Sequence, residues 1–143
     1  MTNAEIIGIS TILSGIKINK IADKEAKSAL LKGYLVIRRL AKSAEDERGE
    51  IVRKFQEDWR DELDSVQSFR QKGQEVVGHG EYLEAERDAL DAIDVVLARE
   101  VGDLGMERIP AGCLMDAELW ADDITLGQIP GTIEYLTEKG IVG

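Results

Sequence analysis

Apolar positions recur at helical spacing over most of this chain, and glycines mark where the pattern stops. Asn3 is a good N-cap, and Ile6, Ile7, Ile9, Leu13 and Ile16 follow; this predicts a short helix over 3–14, closed by Gly15. Gly15-Ile-Lys-Ile-Asn19 alternates apolar and polar, as a short strand or an extended linker does. Between residues 22 and 70 there is no proline. Ala26, Leu30, Gly33, Ile37, Leu40 and Ala44 step by fours and threes, a seam with a period near 3.5. Ile51, Phe55, Trp59 and Leu63 step only by fours, so the seam drifts around the helix there. The pattern predicts one helix over 22–70, capped by Asp23 and about 70 Å long at 1.5 Å per residue.

Gly73, Gly78 and Gly80 break the pattern within 71–80. Leu83, Leu90, Ile93, Leu97 and Val101 then restore helical spacing, predicting a helix over 81–101 that ends at Gly102. The only apolar stripe of matching length is the second half of the long helix, so the two are expected to fold into an antiparallel hairpin. Residues 103–143 have a different texture. Met106 to Ile109 reads as a short strand expected to pair with Ile16-Lys-Ile18, and Ile129-Pro130 opens a last helix through Lys139. The expected architecture is mainly α, a long antiparallel helical hairpin with a small α+β cap made from the two terminal segments, in a single domain over 1–143.

Composition narrows the function. Hydrophobic residues make up 43% of the 143, enough for a core, and aromatics only 5%, so Ile, Leu, Val and Ala must build it. The net charge of −10 argues against a dedicated nucleic-acid binder. No stretch approaches the ~20 apolar residues of a membrane helix, and the start carries Glu5 and no basic region of a signal peptide. A soluble, cytoplasmic protein is expected. Charge is uneven: residues 1–44 hold eight basic and three acidic side chains, and the remainder ten and twenty-five. Such a split solvates a surface, or steers copies together through complementary fields.

The candidate chemistry is sparse. A single cysteine, Cys113, excludes an internal disulfide, and its apolar run suits an inert thiol. The single histidine, His79, lies between two glycines with no serine or cysteine partner indicated, and reads as a structural loop residue. Phe55 and Trp59, four apart, suit a packed pair. Lys27, Lys32, Arg38, Arg39 and Lys42 spread around their helix rather than forming a phosphate-binding stripe. The acidic clusters are the best argument for catalysis. Glu47 and Glu50 stand three apart, and Glu81, Glu84, Asp88 and Asp91 share one face of the next helix. Carboxylates on facing helices can hold Mg²⁺. This layout resembles that of the all-α nucleoside triphosphate pyrophosphatases, though no accompanying substrate motif is present.

A second resemblance covers most of the chain. NAEIIGISTILSGIKI, a long helix containing SAEDERGEIVRKF, then LAREVGDLGMERIP and ITLGQIPGTIEYL resemble, in order and composition, small uncharacterised proteins of tailed phages and prophages, often from tail or late gene clusters. The turn in those proteins often holds proline, and Gly15 to Asn19 has none. The resemblance implies phage or prophage encoding and no catalytic residues.

The function expected from this reading is non-enzymatic: an interaction or assembly protein without cofactor, homo-oligomeric and bound to another protein. Leu35, Val36, Tyr34 and Trp120 are its expected interface. Small residues Ala26, Gly33 and Ala44 would let two copies approach closely. The first alternative is an Mg²⁺-dependent hydrolase using the six carboxylates. The second is an acidic host-directed inhibitor that mimics nucleic acid.

Overall fold

The computed structural model describes residues 1–122, 124, 125 and 127–143. It is mainly helical. The helices are α1 (Asn3–Ser14), α2 (Lys24–Asp58), α3 (Arg60–Gln71), α4 (Gly80–Ala98) and α5 (Ile129–Glu138). Among the described residues, extended backbone makes only isolated bridges: Thr2 with Glu100, Ile16 with Trp120 and Ile109 with Val142. No helix among them is long and apolar enough to cross a membrane.

Helix α1 is capped one residue earlier than the sequence suggests. Thr2, not Asn3, is the cap, its hydroxyl accepting from the Glu5 amide at 3.2 Å. Asp23 caps α2 as expected, its carboxylate accepting from the amides of Glu25 and Ala26 at 2.9 and 3.1 Å. The helix expected over 22–70 is interrupted at Trp59, whose φ of −119° and ψ of 24° leave the helical region. The drift of the seam supplies the reason. Each four-residue step turns about 40° beyond a full circle, so Ile51, Phe55, Trp59 and Leu63 cannot all face one straight partner. The break resets the direction. Helix α4 stops at Ala98, short of the expected residue 101, because the next residues are extended and tied elsewhere: Glu100 bridges Thr2, and Val101 donates to the Met1 carbonyl at 2.8 Å.

The chain divides into two compact units, Met1–Lys42 with Glu100–Gly143, and Ser43–Arg99. The first holds a continuous core. Ile6, Ile9 and Leu13 of α1, Leu30 and Ile37 of α2, and Ile129, Ile133 and Leu136 of α5 meet Ile109, Leu114, Ile141 and Val142. Glu5 and Lys139 close an ion pair at 2.5 Å beside it. The expected pairing of 106–109 with 16–18 is corrected here. The Ile109 amide donates to the Ile141 carbonyl at 2.9 Å, and the Lys17 amide to the Leu119 carbonyl at 2.6 Å. Each extended piece is satisfied by the segment next to α5 or by the 114–120 loop. Alternation alone does not encode that choice.

The second unit is thinly buried. Among its described residues only Ala44, Val66, Tyr82 and Val96 are buried hydrophobics. Tyr82 is its centre. The ring lies 5.2 Å from that of Phe55 and meets the Trp59 ring edge-on at 5.9 Å. Arg70 of α3 grips Glu86 of α4 through both guanidinium ends at 2.6 and 2.8 Å, and Arg99 reaches Glu47 at 3.0 Å.

Candidate functional site

The surface of α2 is decided by which turns its core stripe occupies. Ala26, Leu30, Gly33, Ile37 and Ala41 point inward. Leu31, Leu35 and Val36 are left outside, exposed to 45%, 51% and 38%. Leu31 and Leu35 are one turn apart and form one strip. Leu31 was not among the expected interface residues, although its four-residue spacing from Leu35 is legible. Val36 lies on a different side, at a groove of about 650 Å³ whose floor includes Ala29, Gly33, Leu104 and Met106.

Two other expected interface residues are placed differently. Tyr34 is half-buried against the core. Trp120 is 2% exposed, with its indole N–H donating to the Leu114 carbonyl at 2.8 Å. It is a core residue, because a large ring with a satisfied donor gains most from full burial. The small residues are also already covered. Gly33 faces Met106 of the same chain, and Ala26 and Ala44 are buried. They cannot be the floor of a close contact between copies.

The carboxylates proposed for Mg²⁺ do not converge. Glu81, Glu84, Asp88 and Asp91 are all exposed on α4. Glu47 is engaged by Arg99, and Glu50 shares Arg53 with Glu57. The Arg53 guanidinium keeps the Glu50 carboxyl below its ordinary range. Among the described residues no three of His, Cys, Asp and Glu are grouped to hold a metal ion.

His79 does have partners, contrary to expectation. Its Nδ1 is 2.8 Å from Glu62 Oε2, its Nε2 is 3.2 Å from Ser65 Oγ, and its ring meets that of Phe69 at 6.2 Å. Serine, histidine and carboxylate in this order can activate a nucleophile. An oxyanion is stabilised by preorganised donors, which are backbone N–H groups or side chains. Ser65 is the sixth residue of α3, past the four whose N–H groups a helix leaves unpaired. The contacts tie the turn before α4 to α3. Nothing in the sequence marks it, because the partners lie 14 and 17 residues from His79 across a glycine-rich turn.

The seam of the second unit carries two grooves, one of about 330 Å³ lined by Ile51, Phe55, Trp59 and Ala85 together with Lys54, Asp58 and Asp88. The other, of about 240 Å³, is lined by Val52 and Phe55 of α2, Leu63 of α3 and Tyr82, Leu90 and Ile93 of α4. Leu90 is 55% exposed and Val52 38%. The rim is Gln56, Gln67 and the paired Arg70 and Glu86. In that pair the Arg70 hydrogen bonds hold the Glu86 carboxyl low, and burial pushes the Tyr82 hydroxyl up. No protein-family model, no curated protein and no solved structure matches the chain.

Proposed function

We propose that this is a non-enzymatic interaction and assembly protein that self-associates through the outward strip of α2. The single observation carrying the reading is that Leu31 and Leu35, adjacent turns of one helix, are 45% and 51% exposed. Apolar neighbours on a helix are ordinarily turned inward, and a contiguous exposed set marks a contact surface. Arg38 and Lys42 continue the same strip and give it a charged end that fixes register. The Phe55, Trp59 and Tyr82 ring contacts support α4 as the returning arm of a long antiparallel hairpin. The bridges at Ile16 and Ile109 support a small cap of mixed character from the terminal segments. Phage or prophage encoding, residence in the cytoplasm of a bacterial host and a second protein partner belong to the same reading and rest on the compositional resemblance.

Light scattering of the purified chain tests it. The expected result is a mass above the 15.8 kDa monomer at micromolar concentration, lowered by Leu35→Glu with helical content unchanged. A wild-type monomer, or an oligomer indifferent to Leu35→Glu, refutes the α2 contact.

A further inference from the structure

We propose that the outward strip of α2 docks on the acidic outer face of α4 in a second copy, so that the contact joins two unlike surfaces of the chain. The proposal rests on the self-association reading above and adds what the strip meets.

The strip carries one sign of charge. From Lys24 to Lys42, α2 holds six basic residues and one acidic, Glu25. At about 100° per residue, Glu25 lies about 100° from the line through Leu31 and Leu35, whereas Arg38 and Lys42 fall within about 40° of it. Two such strips do not suit each other. A two-fold pairing that sets Leu31 against Leu35 also sets Lys42 against Lys24 and Arg39 against Lys27. Like charges opposed in this way disfavour the symmetric contact.

The complement is on the same chain. Glu81, Glu84, Asp88 and Asp91 share the exposed outer side of α4. Ala92 and Val95, the latter 65% exposed, give that side an apolar end. Antiparallel docking that sets Leu31 on Val95 brings Arg38 to Asp88, seven residues along each helix, and Lys42 to Glu84, eleven along. Leu35 then falls at Asp91 beside Ala92, four along. Both helices rise about 1.5 Å per residue, so leucines meet the apolar end and cations meet carboxylates over about three turns. The one basic residue of α4, Arg87, lies about 80° from the centre of this face.

Charge complementarity commits the strip to this occupant. The second unit holds sixteen acidic and eight basic side chains, the first twelve and ten. Approach of two second units is therefore the most repulsive, and the basic strip on an acidic unit is the attractive one. A nucleic acid offers carboxylate-like charge but no apolar match for Leu31 and Leu35. An anionic bilayer repels a chain of net charge −10. The α4 face supplies carboxylates and an apolar end together.

Sedimentation equilibrium of the full-length chain decides the proposal, with Arg38→Glu reversing the strip and Asp88→Arg the face; both positions are exposed. Each variant alone is expected to associate about tenfold or more weakly than wild type, with far-ultraviolet helicity unchanged. An equimolar mixture of the two should regain the wild-type mass, because the intact strip of one meets the intact face of the other and the two reversals also attract. Either variant at wild-type mass overturns the docking, and so does a mixture no heavier than its parts. If Leu35→Glu dissociates the oligomer while Asp88→Arg does not, the docking falls and the α2 reading stands. A wild-type monomer overturns both. A monomer that sediments with phosphatidylserine vesicles, or that retards a DNA duplex, overturns the docking in favour of that occupant. Should Asp88→Arg lose helicity, Glu84→Arg takes its place with the same expected and overturning results.

Discussion

Met106 lies against Gly33 so closely that its Sδ would stand 3.1 Å from any Cβ added there. The glycine makes room for the Met106 thioether in the first unit, in the interior of a helix where glycine otherwise costs about 1 kcal/mol against alanine. Gly33→Ala is expected to be nearly neutral in urea melts. The helix gains about that amount, and the flexible thioether must swing away and lose its contacts. Gly33→Leu should cost about 1–3 kcal/mol, since a larger side chain must displace more than the flexible end of Met106. A stabilised Gly33→Leu protein would show that the loop carrying Met106 packs elsewhere.

How far these features were readable depends on the kind of signal. The bounds of α1 and the start of α5 at Ile129 follow from caps, glycines and Pro130, which act locally. The break at Trp59 was foreshadowed only as a drift in the stripe, because the ring that Trp59 packs against, Tyr82, lies 23 residues on. Trp120 carries no periodic neighbours, so nothing in the pattern assigned it to the core. The bridge partners of Ile16 and Ile109 are set by which backbone groups remain unsatisfied after the helices form, and single short segments do not record that. The exposure of Leu35 was legible as an apolar surface wider than one stripe. The groove beside Leu90 was not, since it exists only once α4 lies along its partner.

Tyr82 and Phe55 touch, yet they should respond very differently to truncation. Tyr82 is 1% exposed, whereas Phe55 is half-buried at the groove. Tyr82→Ala should cost about 3–5 kcal/mol, as for a large aromatic removed from a core. Phe55→Ala should cost about 1–2 kcal/mol, because much of its surface is wet before the change. Equilibrium denaturation of the two variants ranks them. Equal losses would mean that Phe55 is covered in solution, and comparing melts over a range of protein concentrations would show whether another copy covers it.

Trp120 offers a spectroscopic check of the core. Its indole is buried and donates to the Leu114 carbonyl, while Trp59 is half-exposed at the α2–α3 break. Trp59→Phe should leave a blue-shifted emission from Trp120 alone. Trp120→Phe should leave a red-shifted one and cost about 1–3 kcal/mol, because the Leu114 carbonyl loses its donor in a dry site. Emission near that of free tryptophan from the Trp59→Phe protein would place Trp120 at the surface.

The grip of Arg70 on Glu86 gives the last prediction, a defined contribution to acid sensitivity. Hydrogen bonding from the guanidinium holds the Glu86 carboxyl below its ordinary value of 4.5, against a smaller opposing effect of burial. A carboxyl with a lowered folded-state pKa adds stability that is fully present above its unfolded value. That stability is lost as pH falls through the lowered one. Arg70 is 46% exposed, so solvent limits the pair to about 1 kcal/mol at most. Glu86→Gln should therefore be less stable than wild type at about pH 7, and the gap should close towards about pH 3. The Glu5 carboxyl, held low by Lys139, titrates in both proteins and cancels from the difference. Urea midpoints for wild type, Glu86→Gln, Arg70→Gln and the double variant give the coupling directly. A gap that stays constant from neutral pH into acid would mean that Glu86 contributes through its side-chain packing and not through its charge.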